Sequence, residues 1–499
     1  MMERLILAVD IGTSSTKGLL YDKKRGILAR ASRNYPTHYP EKGQVEQPPI
    51  QWWEAAAAIM KQLLEDEAPE QVACVCVTGH MSSLVFLDKA LQPLRQSMMI
   101  SDTRAAAITE KLRHDNGNEI ISITGNAPIE AFSLPKILWL QEQEPEVLQK
   151  AEHILFPKDY IRAKLTGIMA TDPTDAGNSL LMNRRTSNWD VEWLQRWNIG
   201  ELPFPTMKEP TETAGVVTKE AAESTGLLPG TPVAVGAADI ASSQIGSGAV
   251  EEGTIQLTLS SSAQIVVKLP EILPEAFGKI THHRSAIPHE WYGMGTIFSG
   301  GSGADWVFNT LYHKEGEDLK AGGWREVEKK MASSAAIEES LLFLPHLTGS
   351  GSPHFNPSDQ GAFVGLKAAH TKLDLLRAAL EGISFHLYET IKLYEAWGLE
   401  KNRITIGAGG SRNNFWCQML ADIIGHPVER LTVKDASTFG AIIIGAVAAG
   451  WYNDLQTASQ DLVHTEKTFY PDNNANTYYE KKFLRFKELH RILSSFFRE

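Results

Sequence analysis

The sequence predicts an α/β protein whose two halves face a shared cleft. Apolar runs with the two-residue period of strands alternate along the chain with helical segments, and this alternation is typical of α/β folds. Residues 5–21 have the pattern of a strand, a turn of glycine and hydroxyl residues, and a second strand. A similar pattern recurs at residues 253–268. Two such hairpins indicate that each half contributes one phosphate-binding loop, although chance alternation can produce a short repeat of this kind.

The first half of the chain alternates strands and helices from its first apolar run. The helix predicted at 239–246 follows an apolar strand and begins with Asp239 at or near its N-cap. The predicted strands are 5–9, 27–33, 72–78, 85–87, 97–100 and 232–236, and the predicted helices are 51–65, 103–115, 135–141, 146–151, 157–165 and 239–246.

The second half begins near residues 246–248, which gives predicted domains of 1–247 and 248–499. No low-complexity linker separates the two halves, so we expect a hinged pair around one cleft rather than independent domains. After the second hairpin the predicted strands are 341–344 and 403–406, and the predicted helices are 303–311, 373–397, 412–424, 437–449 and 477–497.

Composition limits the class of protein. A chain of 499 residues with 43% hydrophobic and 22% charged residues is typical of a soluble globular protein with more than one core. A net charge of −12, without any lysine- or arginine-rich run, disfavours a nucleic-acid partner, because such binding depends on neutralising phosphates. Three cysteines without disulfide spacing indicate a reducing cytosol, and Cys74 and Cys76 are expected in the core. No apolar run is long enough to predict a membrane span.

The first hairpin carries a candidate phosphate and metal site. Asp10 ends the first strand, where a carboxylate can hold Mg²⁺ directly or through water. The turn at residues 12–15 can direct N–H groups and hydroxyls at a phosphate, and Lys17 adds a positive charge nearby. The segment is not a P-loop, since no GxxxxGK[ST] run leads into a helix. An ordinary hairpin with a polar turn is the alternative interpretation.

Three further features can carry chemistry. Asp239 lies at a helix start after an apolar strand, where strand ends line a crevice, and its carboxylate could accept the proton of an attacking hydroxyl. A plain helix N-cap is the alternative role for it. Glycine-rich turns at residues 293–306 and 406–414 join strands to helices and permit close approach of a nucleotide. For the second turn, helix–strand packing is the alternative.

The order of the two hairpins, the Asp239 turn and the glycine-rich turn resembles the FGGY carbohydrate kinases, which belong to the sugar kinase, Hsp70 and actin superfamily. The resemblance covers nearly the whole chain. It implies two ribonuclease-H-like (actin/hexokinase/Hsp70-type) domains around a central cleft, and cytoplasmic, ATP- and Mg²⁺-dependent phosphorylation of a sugar or polyol hydroxyl. Six further stretches are similar to the family, the last three most of all to its xylulokinases: 132–140, 361–366, 373–382, 155–162, 171–176 and 416–422.

The resemblance also implies roles for particular residues. Asp239 takes the position of the catalytic base, and Asp10 takes that of the Mg²⁺ and phosphate ligand. The positions that match nucleotide contacts are Thr13, Ser14, Lys17, Ser261, Gly301, Asp305, Gly410 and Asn413. The positions that match sugar contacts are His80, Met81, Ser82, Asp102 and Asp239.

Four positions depart from the family pattern. Ser82 stands where histidine is usual, Ile240 where xylulokinases carry asparagine, and Ser260 where the second loop usually begins with glycine. Residues 349–353 read Gly-Ser-Gly-Ser-Pro where common members carry Gly-Glu-Arg-x-Pro. Hydrogen bonds to sugar hydroxyls set discrimination, so the hypotheses are a kinase of a xylulose-like ketose, or one of gluconate or another sugar acid or polyol. A non-catalytic sugar- or nucleotide-binding regulator is the third hypothesis. The resemblance alone implies a homodimer.

Overall fold

The computed structural model describes residues 4–312, 322–333 and 340–497, and it contains two large sheets flanked by helices. The first sheet has six strands and lies within the first half of the chain. The strand Leu5–Ile11 pairs antiparallel with the next strand along the chain and parallel with Val72–Gly79. In spatial order the strands are Thr213–Val216, Pro232–Ala234, Val72–Gly79, Leu5–Ile11, Ser15–Asp22 and Gly26–Asn34.

The second sheet repeats this plan in the second half of the chain. The strand Thr254–Leu259 pairs antiparallel with the strand after it and parallel with Arg403–Gly407. Each sheet therefore carries one hairpin, as the two sequence patterns predict, and the structure adds a parallel strand beside each hairpin. In spatial order its seven strands are Thr281–Arg284, Trp291–Ile297, Ala263–Leu269, Thr254–Leu259, Arg403–Gly407, Val428–Leu431 and Thr465–Phe469.

Helices and short strands cover both sheets. In the first half the helices are Pro49–Leu63, Pro69–Gln71, Ala106–Thr124, Ser133–Gln143, Pro145–Lys150, Pro157–Thr166, Pro173–Ala176, Val191–Arg196, Lys219–Thr225 and Asp239–Gly246. The short strands there are Glu46–Gln47, Val85–Leu87, Ser97–Met98, His153–Leu155, Ala170–Thr171, Met182–Asn183, Asn188–Trp189 and Thr206–Met207. In the second half the helices are Pro274–Ala276, Gly301–Tyr312, Gly322–Ser333, Lys372–Ala396, Gly409–Arg412, Asn414–Ile424, Ala436–Ala448, Leu455–Leu462 and Asn473–Phe496, with a further hairpin of Leu342–Leu344 and Ala362–Val364.

One hydrophobic cluster is shared between the halves. Ile6 and Cys76 of the first sheet pack in it with Ile442 of the helix Ala436–Ala448. This helix crosses Asp239–Gly246 at Gly246 and at its own Gly440. A Cβ at Gly246 would lie 2.0 Å from the carbonyl oxygen of Ala436, so the two backbones are in close contact there. A helix of the second half thus packs against the first sheet and against the helix that begins with Asp239.

The structure confirms the predicted α/β fold class. The observed helices and strands differ from the predicted ones at their ends and in the short elements. The helix predicted at 103–115 is instead Ala106–Thr124, because it continues past Asp115 to the left-handed Gly125. Cys74, Cys76 and Cys417 are free and buried, as expected for two of them from their strand. Within the described ranges, no helix has both the length and the apolar character needed to span a membrane. The domain boundary at 247/248 stays a prediction.

Candidate active site

Asp10 lies at the end of the first strand of the hairpin and is buried. Its register partner on the next strand is Lys17. One carboxylate oxygen, Oδ2, accepts a hydrogen bond of 2.5 Å from the hydroxyl of Ser437 in the second half of the chain. The other, Oδ1, has no hydrogen-bond partner in the part of the chain that the structure describes. A buried carboxylate with one free oxygen suits Mg²⁺, which binds one or two carboxylates and keeps several waters.

Lys17 provides a second link between the halves. Its ammonium group lies 2.6 Å from the carboxylate of Asp435, and both side chains remain partly exposed. Asp435 directly precedes the helix Ala436–Ala448, which also carries Ser437. The first phosphate-loop candidate is therefore positioned by the start of a helix from the other half. Thr13 and Ser14, at the tip of the same hairpin, are exposed.

Asp239 begins its helix after the strand Pro232–Ala234. Two hydroxyl groups hold the backbone of the two residues before Asp239. Thr78 donates to the carbonyl oxygen of Ala237 at 2.7 Å, and Thr174 accepts from the N–H of Ala238 at 2.8 Å. The carboxylate accepts 2.8 Å from the N–H of Ile240, and part of the residue stays accessible. An aspartate at this position can therefore meet a substrate while its backbone is held rigidly.

The electrostatics of Asp239 and Asp10 are linked. Burial raises the pKa of Asp239 to about 8, and the negative charge of Asp10 contributes further to this increase. Burial also raises the pKa of Asp10. Two carboxylates that repel each other resist simultaneous ionisation, and such an arrangement can tune a carboxyl group for proton transfer near neutral pH. Tyr292, from the second half, has a buried hydroxyl and a pKa raised by burial and then by Asp239.

The second hairpin lies against the glycine-rich turn that follows Trp291–Ile297. The N–H of Gly301 donates to the carbonyl oxygen of Ser260 at 2.7 Å, and a Cβ at Gly301 would lie 2.4 Å from that oxygen. Ser261 is exposed at the hairpin tip, and its carbonyl oxygen accepts from the hydroxyl of Ser302 at 2.7 Å. Ser260 does not have a positive φ, so serine replaces the family's glycine without backbone strain.

A cavity of about 1160 Å³ opens beside these two loops. Five of the predicted nucleotide contacts line it, together with aromatic rings and charged side chains. Asp305 accepts a 3.0 Å hydrogen bond from the indole of Trp324, which stacks on Phe308 with ring centroids 4.4 Å apart. Apolar walls with a few polar groups are typical of cofactor sites. The predicted residues in the lining are Ser261, Gly301, Asp305, Gly410 and Asn413.

Asn413 has a structural role as well. Its side-chain oxygen accepts 3.0 Å from the N–H of Trp416 and so caps the helix Asn414–Ile424. Gly410 lies close to the second hairpin, since a Cβ there would be 2.7 Å from Cβ of Leu259. Both alternatives considered for this turn, nucleotide approach and helix–strand packing, are therefore compatible with its position.

The predicted sugar contacts lie in the first half of the chain, and all of them except Asp239 are buried. Ser82 has a positive φ of 68°, and its hydroxyl donates to the carbonyl oxygen of Asn178 at 3.2 Å. The ring of His80 packs edge-on against Trp52, with centroids 5.1 Å apart. Burial lowers the pKa of His80 to about 3, so this ring is neutral. Met81, between them, is also buried.

Asp102 is already engaged by protein groups. It forms a two-pronged ion pair with Arg104, and the N–H of Val45 donates to it at 2.7 Å. The ammonium of Lys136 lies nearby, where burial lowers its pKa to about 7 even though Asp102 opposes that change. A sugar contact by Asp102 stays a prediction, as do the contacts of His80, Met81 and Ser82.

Sequence reasoning missed the residues of the second half that approach Asp10 and Asp239. Ser437 is only the first residue of the predicted helix 437–449, whereas Asp435 and Tyr292 lie outside every predicted element. The run Asp435-Ala-Ser-Thr438 at a helix N-terminus was the available signal, because such residues are frequent at N-caps and at anion sites. It gave no indication of which distant carboxylate Ser437 would contact.

Comparisons with known proteins agree with this geometry. Residues 5–246 match the FGGY family of carbohydrate kinases, N-terminal domain, and residues 260–449 match the C-terminal domain of the same family. A xylulose kinase of Lactococcus lactis subsp. lactis (strain IL1403) is 31% identical over 98% of this chain and 97% of its own length. A gluconokinase of Bacillus licheniformis is 28% identical over 99% of this chain and 97% of its own length.

Solved structures show the same two-domain arrangement. The crystal structure of ligand-bound xylulose kinase from Lactobacillus acidophilus has a TM-score of 0.90 to this chain, with 26% sequence identity and 98% of both chains covered. The similarity extends over both sheets and the helices between them.

Proposed function

This chain belongs to the FGGY family of carbohydrate kinases, and we propose that it transfers the γ-phosphoryl group of ATP to a hydroxyl of a xylulose-like ketose, with Asp239 as the general base. The observation that carries the assignment of the base is the position of Asp239. It begins a helix, stays partly accessible, and has a pKa raised by burial and by Asp10. A carboxyl group in this state can take a proton from an alcohol as the oxygen attacks phosphorus.

Each half of the chain has its own task in this proposal. The hairpin tips with Thr13, Ser14 and Ser261 surround the phosphate oxygens, and the cavity beside Gly301 and Gly410 holds the nucleoside. Asp10 and waters would hold Mg²⁺, which when bound neutralises phosphate charge. Lys17, already 2.6 Å from Asp435, adds a cation at the same place.

The sugar is the less constrained part of the proposal. Several relatives are xylulose kinases, which favours a ketose, whereas the gluconokinase relative favours gluconate or another sugar acid as the second candidate. Ser82 and Ile240 favour a substrate different from xylulose itself. The hydroxyl of Ser82 is directed at Asn178, and Ile240 offers no hydrogen bond, so two polar contacts of the xylulokinase pattern are missing. A reducing cytosol as location and a homodimer as assembly are further parts of the proposal.

A substrate panel tests the proposal. ADP release would be measured with Mg-ATP and ketopentoses, ketohexoses, polyols and aldonic acids, and the phosphorylated product would be identified by mass. One sugar with turnover far above the sugar-free rate is the expected result, and its identity decides between ketose and sugar acid. Tight binding of a sugar without ADP formation would favour the regulator hypothesis and contradict the kinase.

A further inference from the structure

Four histidines and two carboxylates meet in the second half of the chain. They come from the segment between the strands Leu342–Leu344 and Ala362–Val364, from the long helix Lys372–Ala396 and from the C-terminal helix Asn473–Phe496. None of them lines the nucleotide cavity. We call these residues the histidine cluster: His346, His354, Asp359, His386, Glu389 and His490.

The histidine cluster is compact. His490 Nε2 lies 2.8 Å from Asp359 Oδ2, and the ring of His346 has its centroid 4.5 Å from that of His490. His386 stands edge-on to His346 at 4.9 Å. A second pair, His354 with Glu389, joins Nε2 to Oε2 at 3.1 Å on the outer side.

Two of the rings are buried without any polar partner. His346 and His386 are each 1% exposed, and in the described chain neither nitrogen of either ring has a hydrogen-bond partner. A buried polar atom without a partner costs free energy, so four such nitrogens at one place require an explanation. A ligand at the centre of the cluster provides one.

We propose that His346, Asp359 and His490 bind one divalent transition-metal ion, with zinc as the best fit. One nitrogen or oxygen atom from each of these three residues lies within 4.8 Å of the others. Two imidazoles and a carboxylate form a donor set that zinc and its neighbours in the first transition series prefer, whereas Mg²⁺ prefers oxygen ligands alone.

Metal binding would open one contact slightly and would bring His346, whose ligand atom lies within 4.8 Å of the others, closer by up to about 1.5 Å. Ligand atoms around tetrahedral zinc are about 3.3 Å apart, so the His490–Asp359 contact would open by about 0.5 Å as the ion replaces the proton between them. The surroundings already orient the carboxylate. Asn356 donates to Asp359 Oδ1 at 2.7 Å and Ser350 donates to Oδ2 at 2.6 Å, which are outer contacts of the kind that fix metal ligands.

The histidine cluster contains two possible ligand groups, and His346, Asp359 and His490 form the one in which all three residues are buried. His354 and Glu389 share His490 in a second possible ligand group, so the cluster accommodates one ion rather than two.

The ion would join the C-terminal helix to the segment that carries His346 and Asp359. This segment also contacts the second sheet, because the hydroxyl of Ser352 accepts from the N–H of Thr296 at 3.0 Å. Thr296 lies in the strand that leads to Gly301 at the nucleotide cavity. The metal therefore has a structural role, and its removal would lower the stability of the second half of the chain.

Cobalt titration tests the site. The full chain, stripped with EDTA, is titrated with Co²⁺ in an excess of Mg²⁺, which occupies carboxylate sites such as Asp10. We expect one Co²⁺ per chain with visible absorption bands, displacement of the bands by Zn²⁺, and a higher Tm with Zn²⁺ than with EDTA. His346→Gln should bind Co²⁺ at least about tenfold more weakly. His464→Gln, an exposed histidine outside the cluster, is the control and should match the unmodified chain.

The unmodified chain keeps the test decisive even if His346→Gln does not fold. Absence of absorption bands in the unmodified chain, together with equal Tm in Zn²⁺ and EDTA, would overturn the proposal. Equal Co²⁺ affinity in a folded His346→Gln chain would overturn it too, because the ion would then lie elsewhere.

Discussion

Asp239 combines a backbone that is held in place with a carboxyl group whose pKa is raised. Its backbone is fixed by the hydroxyls of Thr78 and Thr174, and its ionisation is opposed by burial and by Asp10. The N-cap of this helix is Ala238, and Asp239 is its first helical residue, so the Asp239 carboxyl group is not the cap. Its environment therefore favours proton transfer over capping.

The first prediction concerns the pH dependence of turnover. A base must be deprotonated to act, so kcat/KM should fall as the pH drops below the pKa of Asp239, which burial and Asp10 raise to about 8. Mg²⁺ at Asp10 offsets a negative charge that helps to raise this pKa, so more Mg²⁺ should move the acidic limb to lower pH. The measurement is kcat/KM against pH at two Mg²⁺ concentrations. A limb that does not respond to Mg²⁺ would contradict the link between the two carboxylates.

The second prediction concerns a buried charge network in the first half of the chain. Lys158 Nζ lies 2.6, 2.8 and 3.0 Å from the carboxylates of Asp159, Asp172 and Asp175, and all four side chains are fully buried. Lys158→Met would leave these carboxylates without their shared cation. Removing one partner of a buried ion pair costs about 3–5 kcal/mol. Urea unfolding should show this loss, and an unchanged midpoint would contradict the account of the network.

At the scale of elements, the crossing of Asp239–Gly246 with Ala436–Ala448 sets the position of the proposed catalytic residues. A Cβ at Gly440 would lie 1.8 Å from the carbonyl oxygen of Ser242, so the two backbones approach more closely than any side chain allows. The same two helices carry Asp239 and Ser437, and the latter donates to Asp10. Close packing of the two helices therefore fixes the position of Asp239 and that of Ser437, the hydrogen-bond donor to Asp10.

The third prediction compares two glycines in helices. Gly440→Ala should separate the crossing helices, lower Tm, and lower kcat, since overpacking typically costs about 1–3 kcal/mol. Gly117→Ala is the matched control, because a Cβ there meets nothing within 4 Å, and alanine should stabilise that helix slightly. Equal Tm and kcat in both variants would contradict the role of the crossing.

The sequence was enough to predict the features that depend only on residues close together in the chain. The strand–turn–strand pattern around Asp10, the helix at Asp239 and the glycine turn at Gly410 are local features, and the structure has elements at each. The contacts that complete the site are not local. Ser437 and Asp10 are 427 positions apart, and Lys17 and Asp435 are 418 apart, so no periodicity or spacing connects them.

At the scale of the whole molecule, the proposed sites of the two substrates lie in different halves of the chain. The residues that line the nucleotide cavity all come from the second half of the chain, whereas the predicted sugar contacts come from the first. Phosphoryl transfer needs the two ligands in contact, so we expect the halves to approach each other when both are bound. Closure of this kind also excludes water and limits hydrolysis of ATP.

The fourth prediction follows from this separation. ADP together with the sugar identified by the panel should decrease the radius of gyration measured by small-angle X-ray scattering, and each ligand alone should have a smaller effect. Asp305→Ala, at the nucleotide cavity, should weaken ADP binding and leave sugar binding unchanged. An equal loss of both affinities would contradict the division of tasks between the halves.

The central claim is that Asp239 takes the proton from the sugar hydroxyl, and the most direct test is kcat of Asp239→Asn with the preferred sugar and saturating Mg-ATP. We predict a decrease of about 10²–10⁴-fold with the Tm maintained, the range for loss of a general base. Asp66→Asn, at an exposed aspartate, serves as the control and should keep the kcat of the unmodified chain. A folded Asp239→Asn enzyme with near-normal kcat would contradict the claim, because proton removal would then depend on another group.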